Sequence, residues 1–186
     1  MKKAYIFLAN GFEEIEALAT VDILRRAGIT ATTVSITSCL QVTGAHNIEV
    51  TADITIDKVE KCNNEDWLIL PGGMPGATNL ASCETLCRLL RSHNEQNGSI
   101  AAICASPAVV LAPLGILNKK EATCYPGFEG ALKDCKAKTD AVVVYDNIIT
   151  ANGPGNTIAF ALTIIKKALN EETSQKTAEG LLVSPI

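Results

Sequence analysis

The sequence predicts an α/β fold in which a largely parallel sheet is covered by helices on both faces, and two observations lead there. Apolar runs of strand length alternate with segments of helical period, the pattern of repeated βα units. The 186 residues can bury one substantial core and are few for a second, so residues 1–186 are read as a single domain. At 47% apolar and 19% charged, the composition is that of a globular chain, and no repeat or low-complexity tract interrupts it.

The elements follow in order. A first strand, Ala4 to Ala9, ends at Asn10-Gly11. A helix from Phe12 to Ala27 follows, with Ile15, Leu18, Val21 and Leu24 recurring at i+3 and Gly28 placed to terminate it. Thr30 to Ile36 is the second strand. The stretch from Leu40 to Val59 departs from the alternation: Thr43-Gly44-Ala45-His46-Asn47 between Gln41-Val42 and Ile48-Glu49-Val50 predicts a short hairpin. Further strands are predicted at Trp67 to Leu70, Ser99 to Ile103, Ala141 to Tyr145 and Ile148 to Ala151. Helices are predicted at Cys83 to Asn94, Pro107 to Leu111, Asn156 to Leu169 and Thr173 to Leu182, with Asn156 placed as a cap.

Composition excludes several classes of function. The net charge is −4 with Lys and Arg scattered, so no basic surface for gripping a phosphate backbone is expected, and stable nucleic-acid binding is not. The apolar run after Met1-Lys2-Lys3 is too short for a signal peptide or a membrane span, and Glu13, Glu14 and Glu16 follow it closely. Seven cysteines with no repeated spacing do not make a disulfide framework. A reducing, cytoplasmic setting is the expectation.

Open α/β sheets bind ligands beyond the carboxyl ends of their strands, so the residues just after each strand carry the search for chemistry. In Ala101-Ala102-Ile103-Cys104-Ala105-Ser106-Pro107 a cysteine stands where an apolar run ends and a helix begins. Ala102 and Ser106, two positions to either side, are as small as a nucleophile elbow requires, and Pro107 suits a first helical turn. A helix dipole there would lower the thiol pKa from its free value of roughly 8.5. The competing reading is a cysteine packed as a small hydrophobe, and this segment alone leaves both open.

Gly72-Gly73, in Pro71-Gly72-Gly73-Met74-Pro75-Gly76, permits positive φ and could turn backbone N–H groups toward an oxyanion, with the N–H of Ala105 as a second donor. The same glycines would serve a plain βα turn. Gly153-Pro154-Gly155 is read as shaping a pocket wall. Glu13, Glu14 and Glu16 complement the dipole of the first helix; Glu16 also lies where it could point inward, and a carboxyl buried beside a thiolate keeps its proton and can donate to sulfur.

Histidine is scarce. His93, in Arg91-Ser92-His93-Asn94, is expected to be an exposed cation near a helix C-terminus, and His46 a turn residue within possible reach of the pocket. No metal site is expected: Cys83 and Cys87 share a helix face, but no second pair completes a zinc set. Cys39, Cys62, Cys124 and Cys135 read as ordinary thiols.

Taken in order, Gly11-Phe12-Glu13-Glu14-Ile15-Glu16, Arg25-Arg26-Ala27-Gly28-Ile29, Leu70-Pro71-Gly72-Gly73, the Cys104 segment and Gly153-Pro154-Gly155-Asn156-Thr157 resemble the ThiJ/PfpI superfamily, on the branch of the parkinsonism-associated protein deglycase and its bacterial relatives. The resemblance runs nearly the length of the chain. It implies a flavodoxin-like three-layer sandwich, usually a homodimer, with a reactive Cys104 paired to a protonated Glu16 and the Gly73 and Ala105 amides beside the sulfur. An arginine matching Arg26 would approach from the partner subunit.

The activities implied are glyoxalase and protein deglycase chemistry on small reactive aldehydes or their glycation adducts, with no cofactor. Oxidative-stress sensing or chaperoning through an oxidisable Cys104 is the alternative, and some bacterial relatives carry a thiamine-biosynthesis label that no phosphate-binding motif supports here. Two departures shape the mechanism. Cys124-Tyr125-Pro126 has tyrosine at a pocket position where some members have histidine, and Ala105 follows Cys104 where the protease-like branch has histidine, so peptidase activity is not expected.

Overall fold

The computed structural model describes residues 2–59 and 62–183; of the single-domain span 1–186, residues 1, 60–61 and 184–186 lie outside them. In chain order the elements are β1 (Lys3–Leu8), α1 (Glu14–Arg26), β2 (Thr30–Ser35), β3 (Gln41–Thr43), β4 (Glu49–Thr51), β5 (Ile54–Thr55), β6 (Trp67–Leu70), α2 (Gly76–Ser82), α3 (Glu84–Glu95) and β7 (Ser99–Ile103). A wide helical turn at Pro107–Leu111 follows, then β8 (Glu121–Ala122), β9 (Lys136–Ala137), β10 (Val142–Tyr145), β11 (Ile148–Ala151), α4 (Thr157–Ala168) and α5 (Glu171–Gly180).

Seven strands form the main sheet in the order β10-β11-β7-β6-β1-β2-β5. Every pairing in it is parallel except that of β10 with β11, the hairpin at one edge. Successive residues of the central strands face opposite layers. Ile6, Leu8, Ile69, Ala101, Ile103 and Ile149 pack with Ala17, Leu24, Phe160 and Ile164 of α1 and α4. Tyr5, Phe7, Leu68, Leu70, Ile100 and Ala102 pack with Leu80, Leu86, Leu90 and Leu111 on the other face. Burial on both sides is why these strands are apolar throughout rather than alternating. The result is the flavodoxin-like three-layer sandwich.

From β1 the chain builds outward through β2 to β5, then returns to lay β6 on the other side of β1. The loops after β1 and β6 therefore diverge, and the crevice between them is the topological switch point where ligands sit in open α/β sheets. Those loops are Ala9–Glu13 and Pro71–Pro75.

Several expectations are corrected. α2 follows Gly76 in a seven-residue stretch too short to show helical periodicity. The buried face of α1 holds Glu16, Ala17, Thr20, Val21, Ile23 and Leu24, while Ile15 and Leu18 of the expected apolar row are exposed. Asn156 occupies the cap position of α4 without a side-chain capping bond, its Nδ2 donating instead to Asn152 Oδ1 at 2.7 Å. α5 starts earlier than Thr173 because Asn170 caps it, accepting from the Thr173 N–H at 2.8 Å. Among the described residues no helix is long and apolar enough to cross a membrane.

Candidate active site

At the end of β7 the backbone turns so sharply that Cys104 adopts φ +65°, a left-handed conformation that non-glycine residues rarely hold. The surroundings over-determine it. The Cys104 N–H donates to Ala151 O at 2.8 Å, and its carbonyl accepts from Tyr125 N–H at 2.8 Å. The Ser106 hydroxyl, fully buried, donates to Pro71 O at 2.6 Å and ties the turn to the loop after β6. Ala102 and Ala105 are buried beside it, and Cys104 itself is 8% exposed.

The two glycines after β6 are glycine for different reasons. A Cβ on Gly72 would lie 2.6 Å from Cys104 Cβ, 2.8 Å from Glu16 Oε2 and 3.0 Å from Cys104 Sγ, so its missing side chain is the space that the thiol and carboxyl share. Gly73 has φ +87°, and a Cβ there would meet the Glu13 N at 2.4 Å. The N–H groups of Gly73 and Ala105 both reach the Cys104 sulfur and favour its thiolate. Gly72 does not join them as an anion donor, because its N–H is committed to Glu16 Oε2 at 2.7 Å.

Glu16 enters this space from the first turn of α1. Glu13 caps the helix, its Oε2 accepting the Glu16 N–H at 2.7 Å. Glu16 is 1% exposed, and its Oε1 is buried with no hydrogen-bond partner. A charged carboxylate in that position lacks the donors it would need, so burial raises its pKa to about 7 against the Gly72 N–H and the Cys104 thiol, which lower it. Burial, and then the Glu16 charge, push the Cys104 thiol up to about 12. The expected dipole-lowered thiol is thus corrected: desolvation outweighs the amides of one short turn. The pair holds its protons more tightly than in water, and ionisation of Cys104 is opposed least while Glu16 keeps its own.

The remaining sequence candidates divide. Tyr125 is joined to Cys104 through the backbone bond above, and a Cβ on Gly153 would touch its ring at 3.3 Å, so these two lie together next to the Cys104 turn; half-buried Pro154 follows Gly153. His46 is exposed and pairs with Glu14: its N–H donates to Oε1 at 2.6 Å, and Nδ1 lies 2.8 Å from Oε2. That contact lowers the Glu14 pKa against the effect of its burial, and raises that of His46. Glu13, Glu14 and His46 could reach a common metal ion, their ligand atoms lying within 4.8 Å of one another, yet one Glu13 oxygen and both of Glu14 are already engaged.

His93 is not the exposed cation expected. It is 3% exposed, lies against Gly98, and its Nε2 meets the Asp66 carbonyl at 3.0 Å, with desolvation lowering its pKa. Arg26 pairs with Asp22 and lines a separate groove with Thr173 and Lys176. Ten residues along α1 from Glu16, about 15 Å, it cannot reach the thiol of its own chain. Cys39, Cys83, Cys87, Cys104, Cys124 and Cys135 are free thiols. The groove of about 330 Å³ between α4 and α5 is lined by none of the residues around Cys104, so the chemistry is placed by the buried acid–thiol pair and not by that hollow.

Sequence reasoning missed Ser106 as a tether, Gly72 as the space for sulfur and Glu13 as the cap. Only the S/T/D/E-type spacing Glu13-x-x-Glu16 held a signal for the last of these.

A model of the DJ-1/PfpI family matches residues 2–167. Protein DJ-1 homolog B of Arabidopsis thaliana is 38% identical over 176 residues, covering 95% of this chain and 40% of the plant protein. Homolog A of the same plant is covered over 45% of its length, so the chain spans less than half of either. A Caenorhabditis elegans protein named glutathione-independent glyoxalase DJR-1.2 is 33% identical over 186 residues, covering 98% of this chain and 97% of the worm protein. Among solved structures, oxidized Toxoplasma gondii DJ-1 superposes with a TM-score of 0.94 at 36% identity, covering 98% of this chain and 99% of that one.

Proposed function

Because the chain belongs to the DJ-1/PfpI family, we propose that it is a thiol enzyme of glyoxalase or deglycase type, with Cys104 as nucleophile and Glu16 as its proton shuttle. The observation that carries this reading is Glu16: a buried carboxyl titrating near 7, with one oxygen fixed by Gly72 and the other unpartnered, beside a thiol on a strained turn. A group poised near the working pH can both give and take a proton, which general acid–base catalysis requires. The name of the C. elegans relative agrees with it.

In the proposed reaction the thiolate of Cys104 attacks the aldehyde carbon of a 2-oxoaldehyde. The C–S bond forms as the carbonyl π pair moves to oxygen, where the Gly73 and Ala105 N–H groups hold the negative charge. Glu16 gives its proton to that oxygen and, now a carboxylate, takes the proton from the former aldehyde carbon and passes it to the neighbouring carbonyl carbon, while the hydroxyl proton of the first carbon moves to the second oxygen, giving a thioester that water hydrolyses to a 2-hydroxy acid and the free thiol. The substrate is oxidised at one carbon and reduced at the next, so no external oxidant or reductant is consumed. Reversal of thiol addition to a glycated side chain would use the same groups. If Cys104→Ala and Glu16→Ala both keep wild-type turnover of methylglyoxal, after correction for buffer and free thiols, the proposal fails; loss of at least a hundredfold in each is expected.

The oxidized state of the T. gondii structure favours a second reading, in which Cys104 is a peroxide-oxidised sensor. The two separate by mass spectrometry after mild peroxide: selective oxidation of Cys104 in a protein without turnover supports the sensor.

A further inference from the structure

We propose that Tyr125, with Gly153 beside it, forms an aryl-binding subsite next to Cys104 that favours 2-oxoaldehydes bearing an aromatic substituent. The inference rests on the thiol-enzyme reading and adds to it what the substrate carries beyond its reacting carbons.

The aromatic residues of this chain are few and mostly buried: Tyr5, Phe7, Phe12, Trp67 and Phe160 are each at most 7% exposed. Tyr125 is 44% exposed. It is also held in place. Its N–H is bonded to the Cys104 carbonyl, its carbonyl accepts from Phe128 N–H at 3.1 Å, and the Phe128 ring meets its own in a T-shaped contact at 6.4 Å. Gly153 lies under one edge of the ring, where even a methyl group would crowd it. A rigid aromatic face left open to solvent beside a nucleophile is preorganised for a flat apolar group, because neither ring nor backbone need be ordered on binding.

The chemistry around it narrows the class. The segments that meet at the thiol, residues 10–16, 71–76, 104–107, 124–128 and 152–156, contain carboxylates but no lysine or arginine. An aromatic ring finds there the face of Tyr125 to lie against.

The test compares wild type, Tyr125→Phe, Tyr125→Leu and Tyr125→Ala with phenylglyoxal and methylglyoxal, and reads the ratio of their kcat/KM values. Loss of the aromatic face in the Ala and Leu variants is expected to lower that ratio about tenfold, while Tyr125→Phe keeps it within about twofold. The same proteins are treated with phenacyl bromide and with iodoacetamide, and the relative rates of Cys104 alkylation are followed by mass spectrometry. This reads the subsite without turnover. A fall in the alkylation ratio in a protein that turns over neither glyoxal supports the subsite and sinks the enzyme reading. Ratios unmoved by Tyr125→Ala and Tyr125→Leu in both assays overturn the subsite, whatever the turnover.

Discussion

Glu16 keeps its proton to about pH 7 in the folded protein, against an ordinary value of 4.5, and this couples a single residue to the stability of the chain. Between those two values the native state binds more protons than the unfolded state, so the stabilisation present below pH 4.5 is lost as pH rises toward 7. Glu14 has the opposite sign, since its lowered pKa contributes stability that disappears on acidification. His46 and His93 are shifted up and down respectively and add their own pH dependence, so the wild type must be compared with a variant that lacks only Glu16. Urea unfolding at pH 5 and pH 8 should show wild type losing stability relative to Glu16→Gln over this interval. Parallel pH dependence in the two proteins would show that Glu16 ionises like an exposed carboxylate. The roles of Cys104 and Glu16 were legible as residue types in a local pattern. The burial of His93 was not, because the polar run Arg91-Ser92-His93-Asn94 gives no hint that Gly98 and the Asp66 carbonyl, distant or across a turn, make a slot for its ring.

Between elements, the site depends on the loop after β6 being held against the turn after β7, and Ser106 makes that connection. Ser106→Ala would leave the Pro71 carbonyl buried without its donor and cost about 1–3 kcal/mol. A lowered urea midpoint is expected, together with reduced methylglyoxal turnover as Gly72 and Gly73 lose register with the sulfur. A variant as stable and as active as wild type would show that backbone packing alone holds the two loops. The β3–β4 hairpin was legible from its turn residues, but its purpose was not. It docks on the start of α1 through Gly11 N–H to Thr43 O, Ala45 N–H to Phe12 O and the clasp of Glu14 by His46, contacts between segments that look unrelated in sequence. The shortest strands, β5, β8 and β9, escaped because two residues carry no period.

For the molecule as a whole, the alternation of strand and helix sufficed to foresee the parallel sheet and its two helical layers. Strand order was not foreseeable from alternation alone; it follows from how the chain returns past β1 to lay down β6. On α1 two apolar side chains one turn apart face solvent: Ile15 is 58% and Leu18 38% exposed. We expect this face to pair with a second copy, which is also the route by which an Arg26 could approach a Cys104 that its own chain keeps it from. Size-exclusion chromatography with light scattering should give a dimer for the wild type and a monomer for Leu18→Glu, and a monomeric wild type would remove both expectations.

The left-handed backbone at Cys104 bears on how this sequence can change with time. A conformation of that kind costs a residue with a Cβ about 1–3 kcal/mol, and glycine would be free of most of it. Against a typical folding margin of about 5–15 kcal/mol, that is a standing pull toward glycine at position 104. Random substitution governed by stability alone would drift there and discard the sulfur. Cysteine at this angle therefore carries a local cost that glycine would not, offset by the bonds of its backbone to Ala151 and Tyr125.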